Sequence, residues 1–282
     1  MLAIYGVACT LVMVLPGHRA RPVDPAFLIA KDWPEVRSGQ FVLRSNLPED
    51  LHSLISLAEQ TQARARIVTG KTASPETRTA IFLCRDLMDL ARIETACGYR
   101  HSWTAPGRTQ GGFYSEVQMI AVTVGADRLE ETLSHEVVHS SLREDSENLP
   151  TAIEEGLAMH ISEDLTRDHP RGARCWAAHY SYVGPLVARA IRLDELPSLN
   201  VFISMTGDTF RADRTTVNFH LAHCLATVLL SSSEPGISGK LPEYFAATAG
   251  EGESWQVFCS VYPAKRVEEL WNREIEQSIN ER

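Results

Sequence analysis

The chain has 282 residues, of which 44% are hydrophobic and 22% charged, with a formal net charge of −9. These are the proportions of a soluble globular protein that can bury a core, in one large domain or two small lobes. The acidic balance and the lack of any Lys/Arg block exclude nucleic acid as the expected partner, because duplex binders present a basic face.

Residues 1–22 hold an apolar run, Leu2 to Leu15. It is shorter than the roughly 20 residues that span a bilayer, but suits the apolar region of a signal peptide. No Lys or Arg precedes it, and His18, Arg19 and Arg21 follow, a charge order that favours keeping the downstream chain inside. Export or membrane attachment through this N-terminus is expected, with a cytoplasmic location as the alternative. Residues 23–40 read as a linker, interrupted by Pro25 and Pro34.

Residues 41–145 read as an α+β lobe. FVLRS (Phe41–Ser45) is a strand, Leu51–Ile67 has apolar residues at helical spacing, and AIFLC (Ala80–Cys84) is a short buried strand. A helix is expected over Asp86–Thr95, then two strands over Gly111–Ser115 and Met119–Val124, then a helix over Asp127–Leu142. Residues 146–282 read as a helical lobe, with helices at Thr151–Leu165, Cys175–Ile191, Thr216–Leu230 and Val267–Ile279. The fold class is α+β, a small mixed sheet with helices followed by helices alone. Six cysteines, Cys9, Cys84, Cys97, Cys175, Cys224 and Cys259, contain no C-x-x-C pair and read chiefly as buried free thiols.

The helix expected at Asp127–Leu142 carries TLSHEVVHSSL. Positions i and i+4 share a helix face, so His135 and His139 can aim at one ion. Glu136 lies about 100° round the helix, placed to take a proton from a water that the ion acidifies. The competing reading is an amphipathic helix with two half-buried histidines.

A three-ligand catalytic zinc site needs one more donor. The next segment, LPTAIEEGLAMHIS, offers Glu154 and Glu155. Thr151 and Glu154 fit a capping box, which would occupy Glu154 at the helix N-terminus and leave Glu155 as the preferred ligand. Both glutamates could instead merely complement the helix dipole. Gly156 removes a side chain where a neighbouring helix could come close.

HEVVH followed by EGLA (Glu155–Ala158) resembles the gluzincin metallopeptidases, and more closely their peptidase-MA-like domains. The resemblance covers about Phe41 to Trp271, including a glycine-aromatic segment, Gly112–Tyr114, before the HExxH helix. Fifteen residues separate His139 from Glu155, within the range of that group. The resemblance implies a thermolysin-like catalytic domain with one Zn2+ per chain between the lobes. His135, His139 and Glu155 would bind the metal, Glu136 would be the general base, and peptide or protein would be the substrate. It also implies that the strand before the HExxH helix borders the site.

Two positions depart from that pattern. Ala152 stands where relatives often have Trp, and Phe219 stands near a position where they commonly present Tyr. A phenylalanine cannot donate a hydrogen bond to an oxyanion. His179, Tyr180, Tyr182, His220, His223 and Tyr114 are the alternative donors, with a packing role as the competing reading for each. A metal-binding scaffold with weak or no catalysis is therefore the second functional expectation. A non-haem iron enzyme is a third, disfavoured by the helical context.

Overall fold

The computed structural model describes residues 29–70, 79–96, 112–115, 119–123, 128–143, 149–168, 170–212, 215–250 and 252–280. The N-terminal apolar run, Cys9, Cys97 and Gly111 lie outside them. Among the described residues, no helix is long and apolar enough to cross a membrane.

The front of the chain builds a five-stranded mixed sheet in the order β1-β2-β3-β5-β4. Its strands are β1 (Glu35–Ser38), β2 (Phe41–Ser45), β3 (Thr79–Cys84), β4 (Gly112–Ser115) and β5 (Met119–Thr123). The β2–β3 and β3–β5 pairs are parallel, and β1–β2 and β4–β5 are antiparallel. Strand β3 is buried along its whole length, as a central strand covered on both faces should be. Ile81 and Leu83 join Phe41 and Leu43 in one core, while Ala80, Phe82 and Cys84 join Leu90 and Ile93 in another.

Helices α1 (Leu51–Thr69) and α3 (Leu129–Arg143) cover the first face, and α2 (Leu87–Ala96) the second. Asp50 caps α1 by accepting from His52 N, and Gly70 ends it in the left-handed conformation.

The linker expected over 23–40 needs correction, because its last part is β1. Four residues carry too little periodicity to announce a strand. The pairing is stabilised across the ladder, where Glu35 stands opposite Arg44 and forms an ion pair at 2.6 Å.

The rest is helical: α4 (Thr151–Thr166), α5 (Pro170–Arg192), α6 (Leu199–Ile203), α7 (Gly207–Phe210), α8 (Thr215–Ser231), α9 (Leu241–Thr248), α10 (Ser254–Val261) and α11 (Ala264–Asn280). The mixed α+β class holds, with helix predominating. Helix α4 is buried on nearly every face, between α3 on one side and α8 on the other. A helix in that position is normally apolar all round. This one nonetheless buries Glu154, Glu155 and Glu163, and buried carboxylates need partners. Of the described cysteines, Cys84, Cys175 and Cys224 are buried and Cys259 is exposed.

Candidate metal centre

Helix α3 presents His135 and His139 one turn apart, and α4 brings Glu155 against them. His135 Nε2 and His139 Nε2 lie 3.0 Å apart. Each is 3.2 Å from Glu155 Oε2. Three donors thus converge on one point, and the group could hold a metal ion. His139 and Glu155 are buried and His135 is partly exposed, so the centre opens on the His135 side.

Two like-named neighbours do different work. Glu154 Oε1 pairs with His139 Nδ1 at 2.8 Å. A carboxylate on the second ring nitrogen fixes the tautomer that leaves Nε2 free to ligate. The capping box expected of Thr151 and Glu154 does not form: Pro150 occupies the N-cap and there is no side-chain cap bond. Glu155 remains the converging donor, but because Glu154 is turned to His139 rather than to the helix end.

Electrostatics follow from this crowding. Burial alone would lower the His139 pKa, yet Glu155 and Glu154 outweigh it and hold the ring well above its ordinary value. Burial would raise Glu155, but His139 and His135 hold it well below the usual carboxylate range. Glu136 is raised, first by burial and further by the charges of Glu155 and Glu154, against the pull of the histidines. A raised carboxyl is a better proton acceptor once it is ionised.

Arg211 is the residue that sequence reasoning missed. It follows α7 and donates from Nη2 to Glu155 Oε1 at 2.5 Å. No motif marks it, and its distance along the chain from Glu155 hides the pairing. Phe219 on α8 lies beside the site, its ring centroid 6.5 Å from that of His135.

The candidate oxyanion donors whose side chains are described have other partners or are exposed. Tyr180 Oη donates to Glu163 Oε2 at 2.6 Å, and His223 Nε2 lies 3.0 Å from the same oxygen. His220 Nε2 bonds Ser278 Oγ at 2.9 Å. His179 packs edge-on against Trp176 and Tyr180, and Tyr182 is exposed. The side chain of Tyr114 lies outside the described residues. Tyr180 and His223 form a second polar cluster around Glu163, which Arg167 also pairs. Burial opposes ionisation of Glu163, but His223, Tyr180 and Arg167 hold its carboxyl well below the usual range.

His160 and His179 border this cluster and are both lowered to about 4, by burial first and then by the charge of His223. His160 also faces Thr227, Glu163, Asp164 and Arg64. His179 also faces Glu131, Arg128 and Glu163. In the unfolded chain a histidine titrates near 6.5. As pH falls from about 6.5 to about 4, the unfolded chain takes up protons that these folded rings refuse, so stability declines across that window. Urea titrations should show the decline, and His160→Gln should make it shallower. An identical slope in the variant would remove His160 from the account.

Compared with known proteins, the chain matches no protein-family model and no curated protein.

Proposed function

We propose that the protein is a zinc-dependent metallopeptidase with a thermolysin-like, gluzincin arrangement, one zinc held by His135, His139 and Glu155. The observation that carries this reading is the convergence of those three donors at 3.0–3.2 Å. Donors on a tetrahedral zinc with bonds near 2.0–2.1 Å stand about 3.3 Å apart, so the spacing fits. Two imidazoles and a carboxylate are also the donor set of a catalytic zinc that keeps one position open. When bound, zinc supplies a Lewis acid that polarises the scissile carbonyl and acidifies water.

The remaining roles belong to the chain. Glu136 takes the proton from the attacking water at its carboxylate and passes it to the leaving amine. Glu154 keeps His139 in the ligating tautomer. Helix α3 packs against β4, which lies at the sheet edge, and an extended peptide can add to such an edge as a further strand. Peptide or protein is therefore the substrate class, and an N-terminal export or membrane signal would put the enzyme on an extracytoplasmic substrate.

A second reading has its own observation. Phe219 stands beside His135, and Tyr180, His220 and His223 spend polar atoms on Glu163 and Ser278. A protein that retains the metal centre but binds rather than cleaves peptides would tolerate that arrangement. Metal analysis of the purified chain should find about one zinc, absent from His135→Ala. A broad peptide library should be cleaved, with cleavage lost to a chelator and restored by zinc. Zinc without cleavage of any library member would favour the binding protein, and no zinc would sink both readings.

A further inference from the structure

The two oxygens of Glu155 have different partners. Oε2 faces His135 Nε2 and His139 Nε2, while Oε1 accepts from Arg211. We propose that Arg211 is a positioning residue of the metal centre, holding Glu155 as a one-oxygen ligand and setting how tightly the ion is kept. This rests on His135, His139 and Glu155 being the metal ligands.

The local fold is arranged to deliver this arginine. Thr206 Oγ1 caps α7 by accepting from Thr209 N at 3.2 Å. Phe210, fully buried, anchors the turn and meets Phe219 edge-on, with ring centroids 5.3 Å apart. From α8, the buried Asn218 donates Nδ2 to Phe210 O at 2.9 Å. The backbone leading into position 211 is thus held by α7 and α8. Gly207 leaves room for the head group, since a Cβ there would stand 3.0 Å from Arg211 Nη1.

Charge gives the pairing its purpose. Glu136, Glu154 and Glu155 bring three carboxylates to one buried centre. A divalent ion offsets two of them, and the Arg211 guanidinium supplies the third positive charge. Its side chain remains 46% exposed, so little desolvation is needed to place the charge there. With Oε1 held by a charge-assisted bond, Glu155 cannot swing to offer both oxygens to the ion. Lysine keeps the charge but loses the planar fork.

The test is zinc affinity of the full chain, measured by competition with a chromophoric chelator, for wild type, Arg211→Met, Arg211→Lys and His135→Ala. Loss of a partner that orients a ligand typically costs about 10–100-fold in metal affinity. Arg211→Met should weaken zinc binding by that factor, and Arg211→Lys by less. In cobalt-substituted protein the d–d bands of Arg211→Met should lose intensity, as a fifth ligand oxygen would cause. Zinc affinity within twofold of wild type in both Arg211 variants, with an unchanged cobalt spectrum, would overturn the proposal, whatever happens to the melting temperature. If Arg211→Met does not fold, Arg211→Lys decides by the same two readouts. Failure of the underlying metal reading is distinct from this: wild type and His135→Ala would then both bind no zinc, and the proposal would fall with it.

Discussion

In the proposed zinc peptidase, replacing Glu136 with glutamine should leave the zinc in place and slow peptide cleavage at least about 100-fold, the lower end of what a positioned acid-base group contributes. Glutamine matches glutamate in shape but cannot take a proton. Glu136 is not among the three converging donors, so metal content should not change. A second effect follows from burial. The Glu136 carboxyl is buried, and burial together with Glu155 and Glu154 disfavours its charge. A neutral amide of the same size removes that cost, so the metal-free variant should melt no lower than metal-free wild type. Activity trades against stability in this way at many catalytic positions. Single-turnover cleavage, zinc analysis and thermal melts in chelator test the three parts together. Retention of more than a tenth of wild-type turnover would assign the base elsewhere, and loss of zinc would make Glu136 a structural residue.

What could be read in the sequence follows a physical divide. Strands β2, β3, β4 and β5 and helices α1, α3, α4 and α8 announce themselves by local pattern, and the structure has them within a few residues of expectation. Helices α6, α7, α9 and α10 do not, because none exceeds eight residues and such lengths are marginal without tertiary packing. They are held by side chains sunk into the helical core, among them Phe202, Phe210, Tyr244 and Phe258. Helix α5 begins earlier than its periodicity suggests and continues through Pro185. The candidate metal ligands on α3 were legible because both lie one turn apart on a single helix. Glu155 was legible through the neighbouring segment, although the capping box invoked for Glu154 is absent. With Pro150 at the N-cap and Thr151 already helical, Glu154 pairs with His139 instead. Arg211 was not legible, since its meaning arises only when α7 is folded back over the start of α4.

Gly156→Ala should be the most damaging single substitution near the site. A Cβ at Gly156 would stand 2.2 Å from Ala222 O and 2.8 Å from Ala222 C. Those atoms are the backbone of α8, which cannot rotate away as a side-chain tip could, so α4 and α8 must move apart. Overpacking a well-packed core costs typically about 1–3 kcal/mol, and a backbone collision belongs at or beyond the upper end. For a chain of this size each kcal/mol is about 2–4 °C, so the melting temperature should fall by at least about 6 °C. The displacement also reaches the metal centre, because Glu155 precedes Gly156 on α4 and Phe219 on α8 packs beside His135. Zinc affinity should therefore fall with stability. Ala226→Gly should not rescue the variant: it removes only the 3.3 Å contact with the Ala226 Cβ and leaves the carbonyl in place. Gly184 on α5 supplies the contrast, since a Cβ there meets nothing within 4 Å. Gly184→Ala should be neutral or gain up to about 1 kcal/mol from helix propensity. Thermal melts of both alanine variants in chelator decide the matter. If Gly156→Ala melts within about 2 °C of wild type, less than the shift expected for 1 kcal/mol, α4 and α8 lie further apart than the 2.2 Å approach requires.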